Sequence, residues 1–132
     1  MNERITIIGD GAMGTVCAML LAGKGTDVTI WGAFRDNIEA MGRSRSNERF
    51  LPGYQLPDLI RLTWQDEDAF DDATFVVSAV PCQHVRATWT RLKEHFPKGV
   101  PICSVSKGIE NDTRRLPTQI IQDVLGRFHW RR

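Results

Sequence analysis

The sequence has little of what marks a membrane, secreted or nucleic-acid-binding protein. Its apolar runs all fall short of the roughly 20 residues of a membrane-spanning helix, and its N-terminus lacks the apolar core of a signal peptide. The 17 Lys and Arg residues nearly balance the 16 Asp and Glu residues, giving a formal net charge of +1. That balance provides no field to attract nucleic acid or an anionic membrane, so we expect neither as a partner.

Cysteine and histidine are also scarce, at three residues each, and their positions lack the spacing of a metal site. Cys17, Cys82 and Cys103 are odd in number and contain no Cys-x-x-Cys pair, which favours reduced thiols over a disulfide framework. We therefore expect no metal and a cytoplasmic location. A length of 132 residues with 42% hydrophobic content predicts one globular domain, over residues 1–126, followed by an irregular tail at 127–132.

The most informative pattern that is present lies at the start of the chain. The β-branched run Arg4–Ile8 leads directly into a Gly-x-Gly-x-x-Gly spacing, and an apolar helical pattern follows. In such a turn Gly9 allows the sharp bend, Gly11 lets a pyrophosphate approach the backbone, and Gly14 lets the helix pack against the strand. The N–H groups and the positive dipole end of the helix then face the anion. This arrangement predicts a dinucleotide-binding turn.

Strand-like apolar runs alternate with helical patterns along the chain, which is typical of β-α-β units and a parallel sheet. The predicted sheet strands are Arg4–Ile8, Asp27–Trp31, Leu59–Thr63, Phe75–Ala79 and Ile102–Val105. The predicted helices are Met13–Leu21, Arg35–Met41, Gln83–Phe96 and Pro117–Leu125, with a short acidic helix over Asp66–Phe70. Right-handed crossovers then give an α/β, Rossmann-like doubly wound sheet with strand order 3-2-1-4-5.

The segment after the second predicted helix interrupts this alternation. Arginine recurs between Arg43 and Arg49, which indicates a solvated basic loop or, alternatively, a phosphate-attracting one. Pro52 and Pro57 then bracket a stretch that cannot form a regular helix, because each proline lacks an N–H and restricts its predecessor. We expect an irregular loop here.

The choice of cofactor should be decided where the second strand ends, about 20 residues after the glycines. An NAD site usually has an Asp or Glu there, whereas an NADP site offers space and a cation. This chain has no carboxylate in that segment until Asp36, and Gly32 leaves room. Arg35 can pair with a 2′-phosphate through its planar guanidinium, or it is a solvated residue in the first helical turn. The pattern favours NADP, or use of both cofactors, over NAD alone.

Two residues lie where the fourth and fifth strands end, at the edge where open α/β sheets bind ligands. Lys107 can donate to a substrate carbonyl or a phosphate oxygen, and Gly108 beside it lets backbone approach a ligand. The alternative is an ordinary surface lysine. Pro81 either packs beside a nicotinamide or simply stops its strand.

Together these segments resemble the N-terminal nucleotide-binding domain of NAD(P)-dependent glycerol-3-phosphate dehydrogenase. The resemblance runs from Ile5 to about Leu125 and follows the family's order through GDGAMGT, VTIWG, NERFLPGYQLP, AVP and SKGIE. NERFLPGYQLP and SKGIE are the more specific segments, because related reductases, ketopantoate reductase among them, share the glycine turn without them.

The resemblance implies a role for individual residues. Ala12 and Met13 would contact the cofactor diphosphate, and Ala33 would lie at the adenosine end. Lys107 would contact both cofactor and substrate and polarise the carbonyl of dihydroxyacetone phosphate. Asp10 departs from the small residue usual in the family, so its carboxylate must point away from the pyrophosphate or weaken binding. The implied reaction is hydride transfer between NAD(P)H and dihydroxyacetone phosphate, giving sn-glycerol 3-phosphate for phospholipid synthesis.

The family also has a sixth strand and a C-terminal helical domain that carries the general acid/base lysine. The tail at residues 127–132 does not resemble that strand and reads as a truncation, so we assign no certain catalytic residue to this chain. We expect no detectable turnover by the chain alone, and an exposed cleft face through which it forms homo-oligomers. The alternative function is a non-catalytic nucleotide-binding remnant or module that needs a partner chain.

Overall fold

A computed structural model describes residues 2–126, which form seven β-strands and four α-helices. The strands are β1 (Arg4–Ile8), β2 (Asp27–Trp31), β3 (Ser46–Asn47), β4 (Leu51–Gln55), β5 (Ile60–Thr63), β6 (Phe75–Ser78) and β7 (Ile102–Ser104). The helices are α1 (Ala12–Ala22), α2 (Arg35–Ser44), α3 (Val85–Leu92) and α4 (Pro117–Leu125). The predicted irregular tail at 127–132 lies outside the described residues.

Five strands form one parallel sheet in the order β5-β2-β1-β6-β7. Because β3 and β4 pair only with each other, the five sheet strands have the predicted order 3-2-1-4-5 when they alone are counted. The central strand β1 is paired on both sides, with Ile7 opposite Ile30 on β2 and Val77 on β6. The Rossmann-like α/β prediction is confirmed.

The sheet is covered on both faces, because neighbouring strand residues point to opposite sides. Ile8 and Trp31 face a core formed with α3 and α4, in which Trp89 and Leu92 are fully buried. Ile7 on the other face packs into a second core formed with α1 and α2. The alternation on β1 therefore explains the two helical layers, and all the sheet's carboxyl ends lie at one edge.

The prediction of an irregular loop around Pro52 is wrong. β3 and β4 form an antiparallel pair, with Ser46 opposite Gln55 and Asn47 opposite Leu51. The pairing shifts register between Ser46 and Asn47, and Pro52 is therefore not one of the paired positions at which a missing N–H would cost a hydrogen bond. The two prolines therefore led to the prediction of a loop where the chain forms a short hairpin.

The helix predicted over Gln83–Phe96 is also wrong in its ends. Residues Cys82–His84 and Lys93–His95 are 3₁₀ helices, and only α3 between them is α-helical. Pro97 disfavours a helical conformation at Phe96, which is extended, so the last turn tightens instead of continuing. The short acidic helix is likewise a 3₁₀ turn, over Asp66–Asp68.

Candidate functional site

The glycine turn between β1 and α1 meets the steric requirements predicted for it. Gly9 has φ +122°, and a Cβ there would lie 2.8 Å from the carbonyl oxygen of Ala79. A Cβ on Gly14 would lie 2.3 Å from the carbonyl oxygen of Gly9. Gly11 differs, because no atom lies within 4 Å of the position of its Cβ. Two glycines are therefore required by the fold, and the third leaves open space.

The amino end of α1 has the properties of an anion site. Gly11 is the N-cap residue, no side chain caps the helix, and its first turn contains no acidic residue. The first N–H groups of a helix have no partner within the helix, and the helix dipole adds positive potential there. The backbone of Ala12 and Met13 can therefore donate to a phosphate next to the space over Gly11.

A cleft of about 250 Å³ opens beside this turn. Three segments at the carboxyl ends of β1, β6 and β7 line it: Gly11, Ala12, Met13, Ala79, Val80, Pro81, Val105, Ser106 and Lys107. The structure thus brings Pro81 and Lys107 to the glycine turn, as their places at strand ends indicated. Its volume is below that of a typical small-molecule site, so it has room for part of a dinucleotide.

Sequence reasoning missed the residue that ties two walls of the cleft together. The hydroxyl of Ser106 donates to the carbonyl oxygen of Val80, which joins the loops after β6 and β7. A serine next to a candidate lysine was the available signal, but nothing in the local pattern indicates a partner 26 residues away. Ser106 and Val80 fix the spacing between Pro81 and Lys107.

The loop that carries Lys107 is held from its other end by an ion pair. Arg86 on α3 donates to Glu110 from Nε at 3.0 Å and from Nη2 at 2.9 Å. The hydrogen bond from Arg86 lowers the pKa of Glu110 and raises the pKa of Arg86 itself. Gln83 adds a hydrogen bond from its Nε2 to the carbonyl oxygen of Ile109, at 2.8 Å. Lys107 is exposed, but the backbone beneath it is anchored.

The predicted adenosine end lies outside this cleft, at the start of α2. Ala33 is exposed there, and the Arg35 Nε donates to Glu39 Oε1 at 2.8 Å. The Arg35 guanidinium also stacks 4.3 Å from the centre of the Trp64 ring. Arg35 therefore already has an anionic partner on its own helix, although 65% of its side chain is exposed.

A second cation near this end was not singled out by sequence reasoning. The Arg49 guanidinium lies 5.0 Å from the Phe34 ring and 4.9 Å from the Phe50 ring. Cations and aromatic faces attract each other at such distances. The sequence signal was the basic segment that ends at Arg49, and nothing in that segment identifies Phe34 as the second ring.

Of the two interpretations of the segment between Arg43 and Arg49, the solvated basic loop is wrong at Arg45. This residue ends α2 in the left-handed conformation, with φ 53°. Its Nη2 donates to the carbonyl oxygens of Pro57 and Ile60, at 2.6 and 3.0 Å. These carbonyls need a donor, so Arg45 fixes the chain between the hairpin and β5 instead of facing solvent.

A buried polar network connects the glycine turn to α2 and β3. Asp10 is 6% exposed, and its Oδ2 accepts a 2.8 Å hydrogen bond from Nδ2 of Asn37. Nδ2 of Asn47 donates to the backbone oxygen of Asp10 and to Oγ1 of Thr15, both at 2.8 Å. The Asp10 carboxylate thus points toward α2, the first of the two outcomes expected for it. Neither asparagine was predicted as part of the site.

None of the helices within residues 2–126 has the length and apolar character needed to cross a bilayer. No cluster of three or more His, Cys, Asp or Glu side chains in that range could hold a metal ion.

Comparisons with known proteins give consistent findings. Residues 4–129 match the family described as NAD-dependent glycerol-3-phosphate dehydrogenase N-terminus. Glycerol-3-phosphate dehydrogenase (NAD(P)+) of Anaeromyxobacter sp. (strain K) is 42% identical over 122 residues, which is 92% of this chain and 37% of that protein. The enzyme of the same name from Citrifermentans bemidjiense is 38% identical over 125 residues, 95% of this chain and 37% of that protein.

A crystal structure of glycerol-3-phosphate dehydrogenase from Coxiella burnetii superposes with a TM-score of 0.88 at 27% sequence identity. The match covers 96% of this chain and 38% of that one. The chain therefore spans rather more than a third of the length of the relatives it matches, and the shared part contains the glycine turn, the hairpin and the loop of Lys107.

Proposed function

The chain belongs to the family of NAD-dependent glycerol-3-phosphate dehydrogenase N-termini, and from this premise we propose that it is the cofactor-binding part of such an oxidoreductase. Residues 1–126 act in this proposal as one nucleotide-binding domain for NAD or NADP. The observation that carries it is the uncapped amino end of α1 beside the open space over Gly11. A diphosphate fits there because the N–H groups have no competing side chain.

In this proposal, residues from the glycine turn to the start of α2 hold the dinucleotide. Gly9 and Gly14 shape the turn, and Gly11, Ala12 and Met13 hold the diphosphate. Pro81 and Lys107 lie at the nicotinamide end of the cleft. Ala33 and Arg35 lie at the adenosine end, where the exposed guanidinium of Arg35 would contact a 2′-phosphate when NADP is bound.

The proposed reaction is hydride transfer between NAD(P)H and dihydroxyacetone phosphate, with sn-glycerol 3-phosphate as product for phospholipid synthesis. The bound cofactor supplies the hydride. Lys107 places its ammonium group at the cleft, where it donates to the substrate's carbonyl oxygen and stabilises negative charge as it develops. The Arg86–Glu110 pair and Ser106 hold the backbone that positions this lysine.

A matched pair of glycine substitutions tests cofactor binding. Neither Gly11 nor Gly42 has an atom within 4 Å of the position of its Cβ, so alanine fits the fold at both. We expect Gly11→Ala to weaken NADH binding at least about tenfold, because the methyl group occupies the space of the diphosphate. Gly42→Ala should bind like the wild type. Isothermal titration measures both, and absence of heat and of a thermal shift with millimolar cofactor would contradict the proposal.

Turnover by the chain alone tests the reaction. Within residues 2–126, Lys107 is the only ionisable side chain that lines the cleft. A reacting carbonyl must be held within about 3–3.5 Å of the nicotinamide, and one exposed lysine does not achieve this. We therefore expect no oxidation of NADH by dihydroxyacetone phosphate at 340 nm. Turnover that Lys107→Ala abolishes would show that this chain holds a complete site.

A second candidate function is a nucleotide-binding module that acts only with a partner chain. It is favoured by exposed apolar side chains at Met13 and Ile109 beside the cleft. The same face would support homo-oligomers, which sedimentation at increasing concentration tests. The proposed partners are dihydroxyacetone phosphate and glycerol 3-phosphate, not nucleic acid. The proposed location is the cytoplasm, which the free thiols of Cys17, Cys82 and Cys103 support.

A further inference from the structure

A carboxylate occupies the space next to Gly32, where β2 ends. A Cβ on Gly32 would lie 2.8 Å from Cγ and 2.9 Å from Cβ of Asp10. The Asp10 side chain and the Ile38 side chain, whose Cδ1 would lie 2.7 Å from that Cβ, together leave no room for a side chain at Gly32. In dinucleotide-binding folds, the carboxylate that recognises the ribose hydroxyls stands at the end of the second strand. Here a residue of the glycine turn brings a carboxylate to that position.

The Asp10 carboxylate has an oxygen available for a ligand. Oδ2 accepts from Asn37, whereas no side chain or backbone group among residues 2–126 donates to Oδ1. None of the ion pairs in this part of the chain involves Asp10. A buried carboxylate without a cation repels a nearby anion strongly, because solvent screens it little. The same oxygen can accept a hydrogen bond from a hydroxyl.

We propose that Asp10 is a specificity-determining residue that makes this domain bind NAD(H) more tightly than NADP(H). The inference rests on the proposed cofactor function. Oδ1 accepts a hydrogen bond from a ribose hydroxyl of NAD(H), and the negative charge of Asp10 opposes the 2′-phosphate of NADP(H). Asn37 is a positioning residue, because its hydrogen bond fixes the orientation of the carboxylate.

The cations at this end do not outweigh Asp10. Arg35 is largely exposed and is neutralised by Glu39 at 2.8 Å, so water and its partner both reduce its attraction for a phosphate. Arg49 lies over the Phe34 and Phe50 rings, where its guanidinium faces aromatic carbon. Asp10 is 6% exposed, so water screens its charge little, and it has no cation that neutralises it among residues 2–126.

Titration of the wild-type chain and of two variants with NADH and NADPH tests the proposal. The wild type should bind NADH at least about tenfold more tightly than NADPH, the size of effect that one poorly screened charge produces. Asp10→Asn should reduce that ratio about tenfold, since the amide oxygen keeps the hydrogen bond from Asn37 while the charge is lost. Asp36→Asn removes an exposed carboxylate from the first turn of α2, the helix that carries Asn37, and should leave the ratio within about twofold of the wild-type value.

Each other result counts against the inference. A wild type that prefers NADPH overturns it without any variant, so the test does not depend on the folding of Asp10→Asn. A ratio that changes in Asp36→Asn but not in Asp10→Asn assigns selection to the exposed carboxylate instead. If both cofactors bind and Asp10→Asn leaves the ratio unchanged, only the inference about Asp10 fails. If neither cofactor binds the wild type, the proposed function fails with it.

Discussion

The two ends of the candidate site differ in which atoms form their surface, backbone atoms at one end and side chains at the other. At the proposed diphosphate end, backbone N–H groups and missing side chains form the surface, and Gly14 has no room for a side chain because a Cβ would lie 2.3 Å from a carbonyl oxygen. At the proposed adenosine end, the side chains of Arg35, Phe34 and Arg49 form the surface, and all three contact other side chains. Backbone geometry is visible in the sequence as a fixed spacing of glycines, whereas side-chain contacts produce no such spacing. The difference predicts that substitutions of the sterically blocked Gly9 and Gly14 act on the fold, whereas those at the proposed adenosine end act on selectivity.

Gly14→Ala should have the largest effect, because its methyl group would overlap the carbonyl oxygen of Gly9. The turn must open to relieve this contact, and we expect a loss of about 3 kcal/mol or more in the free energy of unfolding. Urea denaturation measures it. Gly42→Ala adds the same methyl group to an exposed helix position and should stabilise slightly. If Gly14→Ala unfolded at the same urea concentration as the wild type, close backbone contact would not be what shapes this end of the site.

Asn47→Ala should have the next largest effect, because Asn47 joins β3 to the glycine turn. Its amide is fully buried and donates to the Asp10 backbone and to Thr15. Removing it leaves buried acceptors without a donor, at a cost of about 1–3 kcal/mol. Thermal denaturation checks the stability. Ser44→Ala, at an exposed position near the same hairpin, is the comparison and should change it by less than about 0.5 kcal/mol.

Arg35→Ala should leave stability nearly unchanged, because exposed helix ion pairs contribute only about 0.3–0.5 kcal/mol. It should weaken NADPH binding a few-fold and leave NADH binding unaltered, since only NADPH has a 2′-phosphate. Titration with both cofactors measures the two affinities. Equal losses for both would mean that Arg35 contacts a part that the cofactors share.

Glu110→Gln should have the smallest effect, and that effect should disappear in acid. The pKa of Glu110 is lowered from 4.5 by Arg86, so the folded state binds its proton less readily than the unfolded chain does. The resulting stabilisation is present above pH 4.5 and is lost as the pH falls through the lowered pKa. The variant's melting temperature should therefore fall less between pH 6 and pH 3 than that of the wild type. Glu67→Gln changes an exposed residue, and its melting temperature should fall as much between pH 6 and pH 3 as that of the wild type.

The sequence predicted the parts that follow from local periodicity. β1, β2 and α4 have the predicted bounds, and the strand order follows from right-handed crossovers once the strands are identified. The hairpin of β3 and β4 was missed, because Pro52 suggested a loop and a shifted register has no periodic signature. The hydrogen bond from Asn37 to Asp10 spans 27 residues and that from Asn47 spans 37, separations at which composition says nothing of contact.

The central position of β1 has a consequence for how the chain is made. Ile7 is paired with Ile30 on β2 and with Val77 on β6, which lies much later in the sequence. During synthesis one edge of β1 therefore stays unpaired until β6 has left the ribosome. Contacts between residues so far apart in sequence close slowly, and an apolar strand with a free edge is open to wrong pairing in the interval. The strand that leads into the glycine turn is thus translated well before its second partner strand, and it remains open to wrong pairing until β6 is available.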